Sequence, residues 1–262
     1  MAIVNATPDS FSDGGRFATG EQAVRYALNC VEDGAHIIDI GGESTRPGAA
    51  SVSDTEEQDR VLPVIQRLSR ETDVLISVDT YRSSTARLAI EAGAHIVNDV
   101  FGLQKDASMA DVVARSGAGV CIMHTGRERE KLDDVIADQF AFLNHSLSIA
   151  DAAGIMRDHI VLDPGFGFAK DVSENVALMS RFDELSSFGL PILAGTSRKR
   201  FIGALTGREA AADRDAGTAA TTTLLRLAGA VIFRVHNVSM TRDALAVADA
   251  VLDDKKRREA RA

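Results

Sequence analysis

Short apolar runs alternate with longer amphipathic stretches along the whole chain. The runs are Ala2–Asn5, His36–Ile40, Leu75–Asp79, His95–Asn98, Val120–His124, His159–Asp163, Pro191–Gly195 and Val231–His236. They are rich in Ile and Val and apolar at nearly every position. That suits parallel strands covered on both faces, not half-exposed antiparallel ones. The stretches between them predict helices near Glu21–Asp33, Asp54–Arg70, Ser83–Ala92, Ser108–Ser116, Lys131–Ala153 and Ser173–Ser187. One or two more fall between Arg200 and Ala228, and a last runs from about Thr241 to Asp253. Strand–helix repetition without a block of either type predicts an α/β fold. Eight units favour a closed (β/α)8 barrel over a doubly wound sheet.

The length agrees. The chain has 262 residues, and such barrels typically take about 250. No linker divides it, so one domain over 1–262 is expected. The charged tail, from about 254 and including Lys255–Ala262, reads as a helix terminus. Hydrophobic residues make up 45% and charged residues 26%, an ordinary globular balance. No run approaches the ~18 apolar residues of a membrane span. The net charge of −9 argues against a nucleic-acid partner, which needs a basic surface. Any anionic ligand must be met by a local group of cations. Cys30 and Cys121 lie in apolar-periodic segments and read as small buried hydrophobes. No basic segment followed by an apolar one opens the chain, so a cytoplasmic location is expected.

The chemistry gathers where the strands end. The apolar runs finish in Asn5, Asp39, Asp79, Asn98–Asp99, His124, Asp163, Ser197 and Arg234/His236. Asp and Asn also favour turns and caps. Nearly every strand ending this way predicts instead a polar ring at the C-terminal mouth, where these barrels place their sites. Asp79, Asp163, and Asp39 or Asp99, accept from N–H groups, while Asn5 and Asn98 donate and accept at once. That mix suits a flat heterocycle with several ring nitrogens, and Arg stacks on π-systems. Ser197-Arg198-Lys199-Arg200, with Arg234 and His236, forms a cation group after strands seven and eight, a recurrent phosphate-binding region. Two loops, Ala6–Gly15 with Phe11 and Gly41–Gly48 with Arg46 and Pro47, are long enough to act as lids. Gly165-Phe166-Gly167 lacks the third glycine of a dinucleotide fingerprint. His145 and His159 do not have zinc-ligand spacing and read as surface or core histidines. For His124 both readings stay open, facing the site or capping strand five.

These residues resemble the dihydropteroate synthase family. NATPDSFSDGG at Asn5–Gly15 and GGESTRPGA at Gly41–Ala49 resemble its two loop motifs. SVDT at Ser77–Thr80, VNDV at Val97–Val100, LDPGFGFAK at Leu162–Lys170, GTSRKRFIG at Gly195–Gly203 and RVHNV at Arg234–Val238 follow in order. The resemblance implies a (β/α)8 TIM barrel and a transferase of folate biosynthesis. Such an enzyme joins 4-aminobenzoate to 6-hydroxymethyl-7,8-dihydropterin diphosphate, releasing pyrophosphate, with magnesium (Mg2+) as cofactor. It implies that Asp79, Asn98, Asp163 and Lys199 hold the pterin edge. Arg234 would stack on the pterin and, with His236, reach the diphosphate. Asn5 would contact the phosphate–magnesium unit. Thr45, Arg46, Pro47, Phe11, Phe168 and Ser197 would shape the aminobenzoate side, and Asp13 would help close the first loop. It also implies a homodimer through the later helices and a sulfonamide target.

Pyrophosphate would depart first, leaving a pterin-methyl cation for the amine to capture. No strong general base is then needed, in keeping with the lack of a nucleophile–His–acid triad. Two departures stand out. Met1 falls immediately before the first strand, where family members usually carry a preceding segment. Phe101-Gly102-Leu103 follows VNDV at a variable position. A pterin-binding methyltransferase and a non-catalytic pterin-binding paralogue are the competing readings. The methyltransferase does not need Ser-Arg-Lys after strand seven or the TPDSFSDGG lid, and the full set of loop and phosphate residues argues against a decayed paralogue.

Overall fold

The computed structural model describes residues 1–7, 16–43 and 51–260. Strands β1 (Ala2–Asn5), β2 (Ile37–Gly41), β3 (Leu75–Asp79), β4 (Ile96–Asp99), β5 (Gly119–Met123) and β6 (Ile160–Asp163) pair in chain order, all parallel. β7 (Leu193–Ala194) pairs with β8 (Ile232–Phe233). Two seams close the ring. Leu162 N–H donates to Pro191 O at 2.9 Å, joining β6 to β7, and Ile3 N–H donates to Val235 O at 2.9 Å, joining β8 to β1. An edge-free cylinder results, as the eight apolar runs predict.

Helices α1 (Arg16–Glu32), α2 (Asp54–Glu71), α3 (Ser83–Glu91), α4 (Met109–Ser116), α5 (Val135–Ala153) and α6 (Val172–Ser180) surround the first six strands. α7 (Arg200–Thr206), α8 (Asp215–Leu227) and α9 (Val238–Glu259) complete the coat. Val4, Ile38, Ile40, Ile76, Val78, Val97 and Ile122 are all fully buried. Packing on both strand faces accounts for their unbroken apolar patterns. Cys30 and Cys121 are buried, unpaired thiols, as read from sequence.

Three boundaries differ from expectation. α5 starts at Val135 because the Asp134 carboxylate caps it, accepting from Ile136 and Ala137 N–H. The stretch predicted as one helix over Ser173–Ser187 divides. α6 stops at Ser180, and a 3₁₀ segment, Phe182–Phe188, buries Phe182 and Leu185 at the i, i+3 spacing that such a turn eclipses. At the other end of the chain, α9 runs on to Glu259, so the charged tail is mostly helix.

Register sets depth at the mouth. Asn5 pairs with Gly41, Gly41 with Asp79, and Asp79 with Asn98, so these four residues share one layer. Asp39 and Ser77 pair with each other two residues lower.

Candidate active site

The lower layer forms a charged floor. Asp39 is fully buried. Its Oδ1 accepts from Ser77 Oγ at 2.6 Å, and its Oδ2 from Asn98 Nδ2 at 3.1 Å and from Arg234 Nε at 2.6 Å. Arg234 extends β8, and its Nη2 also donates to Asp79 Oδ2 at 2.6 Å. One guanidinium therefore bridges two carboxylates. Burial works against its charge, but Asp39 and Asp79 outweigh burial and hold its pKa above the ordinary value. Burial pushes the Asp79 carboxyl up to about 7, with Arg234 opposing that rise.

Beside this floor the Asn98 amide oxygen is buried with no hydrogen-bond partner. Its amide nitrogen is held by Asp39, so that oxygen is an acceptor aimed by the floor. An unsatisfied buried polar atom costs roughly 1–3 kcal/mol and calls for an explanation. A ligand N–H supplies one.

The loop after β6 builds the opposite wall. Asp163 Oδ1 accepts from Gly165 N–H at 2.7 Å. Burial raises the Asp163 carboxyl, against the pull of Lys199. Lys199, just before α7, donates to the Phe166 carbonyl. Burial drags its ammonium down to about 7, while Asp163 favours the charge. The half-buried Phe168 ring lies between two cations, with Lys199 Nζ 4.6 Å and Arg127 Cζ 4.5 Å from its centroid. Ser197 Oγ accepts from His236 N–H at 3.1 Å and bonds His236 Nδ1 at 2.9 Å.

The structure thus brings together Asp79, Asn98, Asp163, Phe168, Ser197, Lys199, Arg234 and His236. Phe11, Asp13, Thr45, Arg46 and Pro47 lie outside the described residues. Asn5 ends β1 in the same layer as Asp79 and Asn98.

Several expectations change. A third open carboxylate at Asp39 or Asp99 is not found. Asp39 is saturated by Ser77, Asn98 and Arg234, and Asp99 accepts from Phe101 N–H at 2.9 Å and Leu103 N–H at 2.7 Å, shaping its own loop. The cation group also thins, because Arg198 pairs with Asp215 at 2.6 and 2.8 Å. Ser197 orients His236, a contact not expected from the aminobenzoate role. His124 turns beneath the β6 loop, where its Nε2 bonds Asp138 at 2.9 Å and its Nδ1 bonds Lys170 at 2.9 Å. Neither Lys170 nor Arg127 was singled out from sequence. Lys170 had a signal, since it closes the LDPGFGFAK motif, whereas Arg127 sits in a polar loop with none.

Residues 1–236 match the pterin binding enzyme family. The chain belongs to that family. Within it, the chain is 46% identical to the dihydropteroate synthase of Bacillus subtilis, over 97% of this chain and 88% of that protein. Among solved pterin-binding enzymes, Xanthomonas albilineans dihydropteroate synthase with 4-aminobenzoic acid superposes with a TM-score of 0.92 at 46% identity, covering 96% of this chain and 92% of that one. The same bacterium's enzyme in complex with 7,8-dihydropteroate gives 0.89 at 44% identity, covering 96% and 92%. These pterin-binding relatives are single-chain matches over nearly their whole length, and they carry the barrel assignment with them.

Proposed function

We propose that the chain is a dihydropteroate synthase, joining 4-aminobenzoate to 6-hydroxymethyl-7,8-dihydropterin diphosphate to give 7,8-dihydropteroate and pyrophosphate. The observation that carries this is the unpartnered Asn98 oxygen beside Asp79, with Asp163 and Lys199 on the facing wall. Together they offer acceptors and one donor to the edge of a nitrogen-rich bicycle. The Asp79 carboxyl, with a pKa near 7, both donates and accepts around neutrality. Arg234, fixed along its edge by two carboxylates, leaves its flat face for stacking on the ring.

In the reaction the bond between the pterin methylene carbon and the diphosphate oxygen breaks, and its electron pair leaves with pyrophosphate. The aminobenzoate nitrogen then gives its lone pair to that carbon and afterwards loses a proton. Asp79 and Asp163 stabilise the positive ring, and His236, held by Ser197, meets the leaving group. Phe168, between Lys199 and Arg127, provides the surface for the aminobenzoate ring. Thr45, Arg46, Pro47 and Phe11 are assigned to that same side, and Asp13 to closing the first loop.

Magnesium fits in one mode. Among the described residues no group of three His, Cys, Asp or Glu side chains forms a metal cage. Mg2+ commonly takes one or two protein oxygens and completes its shell with phosphates and water, and Asn5, at the mouth, is the residue that would hold it. When bound with the diphosphate, the ion neutralises charge on the leaving group.

A homodimer is the assembly we assign. Support comes from the outer face of α9, where Val247 is 64% exposed and Val251 43% exposed, one turn apart. No described helix is long and apolar enough to cross a membrane, and we assign the enzyme to the cytoplasm. A pyrophosphate-release assay with and without 4-aminobenzoate decides the function. Release that requires both substrates supports the synthase. Pterin binding without release would leave a binding paralogue, and methyl transfer from methyltetrahydrofolate would indicate the methyltransferase.

A further inference from the structure

Beneath the β6 loop lies a buried polar column that the reaction described above does not use. Lys170 is 9% exposed, and its Nζ donates to Gly165 O at 3.0 Å and to His124 Nδ1 at 2.9 Å. His124 is fully buried, and its Nε2 bonds Asp138 at 2.9 Å; Arg129 binds that carboxylate at 2.6 and 2.9 Å and stands 3.0 Å from the same Nε2. Burial pulls the His124 imidazole down to about 4, so it is neutral and its Nδ1 lone pair is free to accept from Lys170.

The column ends on the loop that makes the site wall. Gly165 has φ 65°, Gly167 75° and Ala169 51°, a wound backbone that does not hold its shape through regular pairing. Gly165 links the two sides. Its carbonyl accepts from Lys170, and its N–H donates to Asp163 at 2.7 Å. The next carbonyl, Phe166 O, accepts from Lys199. There is no room to adjust, because a Cβ at Gly165 would stand 1.9 Å from His124 O.

Stability alone does not explain a buried lysine here. An apolar side chain of similar volume fills such a place at no desolvation cost. We propose that Lys170 is a positioning residue, acting through the Gly165 peptide to set the substrate-facing pair Asp163 and Lys199. This rests on the synthase reading given above. The charged and titratable groups around Lys170 are His124, Asp138, Asp163, Lys199 and Lys131. Burial drags the Lys170 ammonium down to about 7; Lys199 adds to that fall, and Asp163 opposes it.

The test compares Lys170→Met and Lys170→Gln with the wild-type chain. Thermal unfolding reports the fold, calorimetry with the pterin diphosphate reports affinity, and pyrophosphate release gives kcat and KM. Lys170→Met is expected to fold and to bind the pterin about tenfold more weakly, equivalent to about 1.4 kcal/mol and the size of one internal hydrogen bond. Its kcat falls with the affinity, because Asp163 and Lys199 face the pterin, while its KM for aminobenzoate changes little. Lys170→Gln keeps a donor to the Gly165 carbonyl, so it recovers both affinity and kcat. A folded Lys170→Met with wild-type affinity and kcat overturns the proposal. If Lys170→Met fails to fold, a folded Lys170→Gln that does not recover wild-type affinity overturns it. Wild-type chain that releases no pyrophosphate overturns the synthase reading, and this one with it.

Discussion

Arg234→Ala is the sharpest perturbation the site offers. It removes both 2.6 Å bonds by which the guanidinium joins β8 to Asp39 on β2 and Asp79 on β3. Both carboxylates stay buried, at 0% and 9% exposure. Removing one partner of a buried pair costs about 3–5 kcal/mol. Asp79 tempers the loss, because its carboxyl is already near 7 with the cation present and takes up a proton once the cation is gone. We therefore expect about 3 kcal/mol at neutral pH, the lower end of that range. In a domain of this size that is roughly 6–12 °C in Tm. The chain has no Trp, so urea unfolding is best followed by circular dichroism. The sign with pH is fixed. Losing the cation removes what opposes the rise of Asp79 above about 7, so near neutrality the folded variant holds a proton that wild type sheds, and its deficit should shrink from pH 8 to pH 5. The Arg234→Ala/Asp79→Asn cycle should show coupling of about 1–3 kcal/mol. Pyrophosphate release should fall about 100-fold or more. A variant within about 2 °C of wild type, with a near-normal rate, refutes both the ion-pair bridge and the role assigned to Arg234.

Other outcomes follow from the same geometry. His124 has its pKa lowered from 6.5 to about 4, so the unfolded chain binds more protons in that window. Stability should fall as pH drops from 6.5 towards 4, and His124→Gln should flatten the dependence of Tm on pH there. Phe168→Ala removes a half-buried ring flanked by Lys199 and Arg127. Steady-state kinetics should show KM for aminobenzoate rising about tenfold, with two cation–π contacts of about 0.5–1 kcal/mol each lost and little change in Tm. Gly165→Ala must move either the loop or the His124 carbonyl. It should cost several kcal/mol by denaturation, whereas Gly154→Ala, at φ 83° with open space around it, should cost only about 1–2 kcal/mol.

The barrel was legible because its strands are covered on both faces. Ile38, Ile40, Ile76 and Val78 need no polar side, so their runs are unbroken and the eight repeats stand out. The strand-end rule also located Asp79, Asn98, Asp163 and Arg234. It failed to separate Asp39 and Asp99 from them, because that distinction lies in register and in what each oxygen accepts. Asp39 sits two residues below the layer of Asp79, and Asp99 turns back on its own loop. Arg198 and Lys199 are adjacent in sequence, yet one pairs with Asp215 and the other faces Asp163. Arg198 has φ 58°, and a backbone turn of that kind leaves no periodic trace. The end of α6 was missed for a similar reason, since Phe182 and Leu185 are spaced equally well for an α-helix or for the tighter 3₁₀ turn.

The two-carboxylate grip on Arg234 also shapes how the mouth looks from a distance. Its charge is cancelled within a few ångströms, and Asp163 partly offsets Lys199. Among these residues the charges therefore alternate in sign over a few ångströms. A diphosphate approaching a chain of net charge −9 gains little from long-range attraction, which salt would in any case screen beyond about 10 Å. Recognition is a matter of contact. Close approach lets the ligand compete for hydrogen bonds that the mouth residues make to one another.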